Sequence, residues 1–154
     1  MDHISSKVSL QPGVEKEDIL IVEDETNIRY LLETYLTSEG YRVRIARNGE
    51  EALKMVADNP PSAIILDILL PKLDGYEVCR RLKNSKSTNF IPIVMVTAFR
   101  GDKERIQATE AGADDFISKP LNRVELLTRI KSLLRIKKLH EALEQKIKEL
   151  EIAE

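Results

Sequence analysis

Residues Ala63-Ile64-Ile65-Leu66-Asp67 run four apolar side chains directly into a carboxylate. A short, continuous apolar run of this kind predicts a strand buried on both faces, as in a parallel sheet covered by helices. Asp67 then stands where the chain leaves the sheet. Taken alone, a carboxylate there reads equally as a helix cap or loop solvator and as a functional group in the crevice where open α/β sheets bind their ligands.

Towards the N-terminus, Ile19-Leu20-Ile21-Val22 is a second buried run, and it ends in Glu23-Asp24-Glu25. Ile28, Leu31, Leu32, Tyr35 and Leu36 follow with the spacing of a core-facing helix. Gly40 stops that helix, as a left-handed terminal residue does. Tyr41, Val43 and Ile45 alternate with Arg42 and Arg44, the period of a half-exposed edge strand. Asn48 with Glu51 has cap spacing and opens a helix with Ala52, Leu53 and Val56 on its apolar stripe, ended by Pro60-Pro61.

Beyond Asp67, Asp74 with Glu77 and Asn122 with Glu125 repeat the cap spacing. The first predicts a helix to about Lys83, the second a helix from about Arg123 towards the C-terminus. Between them lie an apolar strand over Ile91–Thr97 with Pro92 near its start, a short helix from Asp102 to Ala111 closed by Gly112, and a short strand, Phe116-Ile117-Ser118, broken by Lys119-Pro120. Five successive β-α units require a parallel sheet with right-handed crossovers. The predicted class is α/β: a flavodoxin-like, doubly wound, five-stranded sheet in the order 2-1-3-4-5, with an extended C-terminal helix.

Composition bounds what such a domain does. The 154 residues suit one domain; 42% are hydrophobic, 32% charged, and the net charge of -2 marks neither a nucleic-acid nor a membrane binder. No run approaches the ~20 apolar residues of a membrane span, and the N-terminus lacks the apolar core of a signal peptide. The lone Cys79 excludes an internal disulfide and fits a reducing, cytoplasmic setting, with Cys79 itself a small helix residue. Residues 1–17, with Pro12-Gly13 and a solitary His3, read as a flexible leader.

The strand ends collect the chemistry. Glu23 and Asp24 follow strand one, Asp67 strand three, Thr97 ends strand four and Lys119 strand five. Strands one and three flank the switch point, so their acids converge on one crevice. Packed carboxylates repel unless a positive group compensates. A hard cation such as Mg²⁺, with one or two carboxylates, waters and a phosphoryl oxygen, fits that need. Asp67 is then available as a nucleophile forming an acyl phosphate. Lys119 and Thr97 supply a point charge and a hydroxyl to the phosphoryl oxygens.

Taken together, Ile21-Val22-Glu23-Asp24-Glu25, Leu66-Asp67-Ile68-Leu69-Leu70-Pro71 with Asp74-Gly75, Val96-Thr97-Ala98 and Ala111-Gly112-Ala113-Asp114-Asp115-Phe116-Ile117-Ser118-Lys119-Pro120 resemble the receiver domain of two-component response regulators over roughly Ile19 to Leu134. The resemblance implies a phosphorelay switch. Asp67 matches the phosphoacceptor, Asp24 a direct Mg²⁺ ligand, Glu23 an acid acting through water, and the Leu69 carbonyl a third protein ligand, with Mn²⁺ able to substitute. Thr97 and Lys119 match the phosphoryl-contacting pair. The Lys119-Pro120 peptide is cis in such domains, and Phe116 occupies the switch aromatic position, expected between strand five and the last helix. Glu23 stands where Asp is commoner, and Phe116 lacks a tyrosine hydroxyl. Leu69 and Phe99 flank the site with apolar side chains and are expected to limit hydrolytic water.

The implied donor is a cognate histidine kinase or phosphotransfer protein. The domain would catalyse its own phosphorylation and slow dephosphorylation, a switch more than a turnover enzyme. Its output face would be helix four, strand five and helix five. Val124, Leu127, Ile130 and Leu134 of the last helix should pack on the sheet. Beyond them Leu133, Ile136, His140, Leu143, Ile147 and Leu150 fall at the a and d positions of one heptad register. Residues 18–135 thus read as the receiver, and 136–154 as a helical extension: a dimer-forming coiled coil, with His140 setting register, or a linker to an output module, similar to receivers that precede diguanylate cyclase modules. The rival is a solvent-exposed tail of a monomer. Two other α/β readings fit less well. A flavin-binding flavodoxin needs a Ser/Thr/Gly-rich loop where Glu23-Asp24-Glu25-Thr26-Asn27 stands, and a haloacid-dehalogenase-type phosphatase needs a second acid where Leu69 stands.

Overall fold

The computed structural model describes residues 17–98 and 101–153. Residues 1–16, with His3 and most of the leader, and Phe99 lie outside the described residues. The element order is β1 (Asp18–Val22), α1 (Thr26–Ser38), β2 (Arg42–Ala46), α2 (Gly49–Asp58), β3 (Ala63–Asp67), α3 (Gly75–Lys83), β4 (Ile93–Thr97), α4 (Asp102–Glu110), β5 (Asp115–Ser118) and α5 (Arg123–Ala153). The five strands form one parallel sheet in the order β2-β1-β3-β4-β5, as the apolar runs require.

Two apolar layers hold the sheet, and the period of two along each strand divides the side chains between them. Leu20, Ile64, Leu66 and Met95 pack with Val56, Val78 and Ala108 of α2, α3 and α4. Ile19, Ile21, Ile65 and Val96 pack with Leu32 and Leu36 of α1 and with Leu126 and Ile130 of α5. Every residue of β3 and β4 is buried. Truncating one such side chain to alanine costs about 2–5 kcal/mol.

The three capping predictions are met. The side chains of Asn48, Asp74 and Asn122 accept from the backbone N–H of Glu51, Glu77 and Glu125 at 2.8, 3.0 and 2.9 Å. Gly40 (φ +91°) and Gly112 (φ +98°) end α1 and α4 in the left-handed region. β4 starts at Ile93, two residues later than the apolar run suggests, because Pro92 has no N–H for the ladder.

Two expectations need correction. Val124 is 73% exposed, and Leu126 (0%) takes its place against the sheet. At 100° per residue Leu126, Leu127, Ile130 and Leu134 share one stripe, and Val124 lies roughly a quarter-turn away from its centre. Phe116 does not lie between β5 and α5. It packs with Ala108 and Ala111 on the α4 side, with the Arg105 guanidinium 5.2 Å from its ring centre. The alternation of β5 sends Ile117, not Phe116, to the α5 side.

α5 continues well past the sheet as one helix of 31 residues, about 46 Å long. Its root is tied down by ion pairs from Arg123 and Lys131 to Glu39 and from Lys138 to Glu17. Ile136, Leu139, Leu143, Ile147 and Leu150 are exposed along the remainder. Leu133 is partly buried against the core, and Leu139 adds an apolar position outside the expected a and d set. Among the described residues no helix is long and apolar enough to cross a membrane.

Candidate functional site

Parallel strands point their carboxyl ends the same way, so β1, β3, β4 and β5 deliver their terminal residues to one rim of the sheet. Val22 pairs with Leu66 across β1 and β3, which sets Glu23 beside Asp67. The carboxylate oxygens of Glu23, Asp24 and Asp67 converge, one from each lying within 4.8 Å of the others. Glu23 and Asp67 are buried, at 1% and 5% exposure, and Asp24 is exposed.

Lys119 reaches into this cluster. Its Nζ stands 3.3 Å from Glu23 Oε1 and 3.7 Å from Asp67 Oδ2. The Lys119-Pro120 peptide is cis. Thr97 is fully buried at the end of β4 and pairs with Ser118 in the ladder. Met95 pairs with Phe116, so Thr97 and Phe116 occupy the same face of the sheet. The backbone N–H of Leu69 donates to Asp67 Oδ1 at 3.4 Å, and the Leu69 side chain is 55% exposed.

Among the described residues, three carboxylates face one ammonium, which leaves them short of positive charge. Glu23 shows the effect: burial, then the charge of Asp67 and a hydrogen bond to it, push its carboxyl up to about 7. Burial also raises Asp67, against the pull of Glu23, Lys119 and the Leu69 N–H. The ligand atoms are all hard oxygens, and the cluster could hold a metal ion. Cys79 takes no part. It is fully buried, its Sγ donates to the Ala111 carbonyl at 3.4 Å, and burial lifts its thiol to about 11.

One contributor escaped the sequence reading. Arg29 of α1 donates from Nη1 to the carbonyls of Glu23 (3.1 Å) and Asp24 (2.8 Å), and from Nη2 to Thr26 Oγ1 (3.1 Å). The available signal was a cation one turn from a helix N-terminus, where the macrodipole disfavours it unless another contact compensates. A cavity of about 640 Å³ lies at the opposite ends of β1 and β2, lined by Glu17, Asp18, Arg42, Arg44 and Ser62, and includes none of these groups.

A parallel five-stranded sheet thus carries acids, a hydroxyl and an ammonium at its carboxyl rim. The family model of the response regulator receiver domain matches residues 19–131, and the chain belongs to that family. It is 46% identical over 129 residues to the response regulator PleD of Caulobacter vibrioides, covering 83% of this chain and 28% of PleD. It is 48% identical over 121 residues to the probable transcriptional regulator ycf27 of Pyropia yezoensis, covering 79% of this chain and 49% of that protein. The crystal structure of a putative response regulator from Chloroflexus aurantiacus superposes with a TM-score of 0.77 at 40% identity, covering 79% of this chain and 99% of that one. The chain therefore spans less than half the length of these two curated relatives. It is a phosphorelay receiver, a class of domain that histidine kinases phosphorylate and that can dimerise.

Proposed function

We propose that Asp67 accepts a phosphoryl group from a phosphohistidine of a cognate kinase or phosphotransfer protein. The convergence of Glu23, Asp24 and Asp67 within 4.8 Å, with Lys119 3.7 Å from Asp67, carries this reading. A carboxylate oxygen of Asp67 attacks phosphorus, the P–N bond breaks, and the imidazole nitrogen leaves with the electron pair. Lys119 offsets charge on the acceptor oxygen and then on the phosphoryl group. The Thr97 hydroxyl donates to a phosphoryl oxygen. Asp24 and Asp67 directly, Glu23 through water, and the Leu69 carbonyl would hold Mg²⁺ or Mn²⁺, which supplies neutralisation of phosphoryl charge. Water later attacks phosphorus, the P–O bond to Asp67 breaks, and inorganic phosphate leaves with the carboxylate restored; the exposed Leu69 side chain shields that approach. The domain thus catalyses its own modification and slow reversal.

The phosphoryl group adds about -1.5 to -2 charge and new acceptor oxygens. Thr97 is drawn towards them. Phe116, on the same face of the sheet, shifts against Arg105, and the face built from α4, β5 and α5 changes shape. Two conformations are rebalanced by their different affinity for the modified site. Asp115, bound to Arg129 through both carboxylate oxygens at 2.8 and 2.9 Å, spans β5 and α5 on this face. Residues 18–135 act as the receiver, and residues 136–154 carry the change outward, as a coiled coil between two copies or a connection to an output module. We place this signalling in the cytoplasm.

The test is labelling of the full chain with a small phosphodonor such as acetyl phosphate, with Mg²⁺ and with EDTA, read by intact mass. Label is expected only with Mg²⁺ and only in the parent, not in Asp67→Asn. Persistent labelling of the Asn variant would send the acceptor elsewhere.

A further inference from the structure

We infer that Arg29 is a positioning residue for the cation-binding acids: its guanidinium fixes the backbone of Glu23 and Asp24 so that their carboxylates stay converged on Asp67. The inference rests on the reading of these acids as a divalent-cation site.

The loop between β1 and α1 has no side-chain cap to hold it. Glu25, at the cap position, makes no such bond, whereas α2 and α3 are closed by Asn48 and Asp74. Arg29 does that work from inside the helix. A guanidinium presents several donors in a rigid plane, and here it spans two carbonyls and one hydroxyl, at 3.1, 2.8 and 3.1 Å. Besides the Lys119 ammonium 3.3 Å from its carboxylate, Glu23 is held at three further points. Its N–H donates to Ala46 of β2, its carbonyl accepts from Arg29, and its carboxylate accepts from the Glu25 N–H at 3.2 Å. Asp24 is exposed, and the Arg29 bond to its carbonyl ties its backbone to α1. Repulsion among the acids would spread this loop; a tie on its carbonyls resists that without occupying a carboxylate oxygen.

Charge and positioning act in opposite directions, which makes them separable. As a mere positive charge, Arg29 would repel a divalent cation, and its removal would tighten binding. As a positioning group, its removal weakens binding. The probe is Mn²⁺ alone, titrated into the full chain near physiological ionic strength by calorimetry, with free ion counted by electron paramagnetic resonance. Arg29→Lys keeps the charge and loses the planar fork; a loss of about tenfold in affinity is expected, the low end for groups that orient ligands. Arg29→Gln is expected to weaken binding as well. The thermal midpoint in EDTA is read on the same samples, and the Gln variant carries the test should the Lys variant not fold. A folded Lys variant that matches the parent within about twofold, or a Gln variant that binds Mn²⁺ more tightly, overturns the inference. A parent that binds no Mn²⁺ removes the cation-site reading itself.

Discussion

Gly75 packs directly against the carbonyl of Asp67. A methyl group on its α-carbon would overlap the Asp67 carbonyl oxygen and stand 2.8 Å from the Cα of Ile68. The Gly75 N–H donates to the Ile68 carbonyl at 2.9 Å, so the start of α3 and the end of β3 are laced together. Backbone, not a flexible side chain, is what any added carbon meets. Gly75→Ala is expected to destabilise the fold by about 1–3 kcal/mol in urea titrations, the range for overpacking a tight site, and to slow labelling of Asp67 by displacing its backbone. Unaltered stability and labelling would show that the loop yields freely.

Glu23 makes the metal-free protein pH-sensitive in a direction opposite to most carboxylates. Its folded value of about 7 lies above its ordinary value of 4.5. The folded state therefore holds a proton that the unfolded state has released, and stability falls as pH rises through that interval. Glu23→Gln removes this proton linkage. In EDTA, the thermal midpoint of the parent is expected to drop relative to the Gln variant between about pH 4.5 and 7. A gap between the two that stays constant across the interval would refute the assignment.

Lys119 is the ammonium between Glu23 and Asp67, at 3.3 and 3.7 Å. Lys119→Met leaves these acids facing one another with less compensation. Without metal its loss of midpoint is expected to be larger near pH 8 than near pH 5, since both acids are ionised only at the higher value. Added Mg²⁺ is expected to recover more stability in this variant than in the parent. Equal losses at the two pH values would mean that Lys119 acts by packing alone.

Leu69 is 55% exposed beside the acceptor, and its N–H already donates to Asp67. Leu69→Asn replaces an apolar shield with a group that can hydrogen-bond water, while the backbone contact is retained. The phosphorylated form is expected to lose its label several-fold faster. Decay at the parental rate would assign the lifetime to other neighbours.

The exposed stripe of α5 is expected to pair with a second copy when the receiver is activated. Leu143→Glu places a charge in the middle of that stripe. Light scattering with beryllofluoride and Mg²⁺ is expected to report dimers for the parent and monomers for the variant. A parent that stays monomeric would leave the stripe to an output module.

Strand runs and capping pairs were legible because both are local. Four apolar residues before Asp67, or Asn48 three residues ahead of Glu51, are decided by neighbours in sequence. The meeting of Glu23, Asp24, Asp67 and Lys119 followed from the parallel topology, which sends every strand end to one rim. What failed depended on sides. Val124 and Leu126 are both apolar and both near the start of α5, and only the sheet beneath decides which is buried. Phe116 and Ile117 differ by one residue, and the register of β5 against β4 decides which meets α4. Arg29 escaped because its partners are backbone carbonyls, which carry no signature in side-chain patterns.

The length of α5 gives small motions leverage. About 15 residues extend beyond Lys138, an arm of about 22 Å. A tilt of about 10° at the root, where Arg123 and Lys131 grip Glu39 and Lys138 grips Glu17, sweeps the tip through about 4 Å, more than two residues' rise along a helix. Sub-ångström adjustment at the carboxyl rim need not travel through a soft chain of contacts; a stiff rod converts angle into distance.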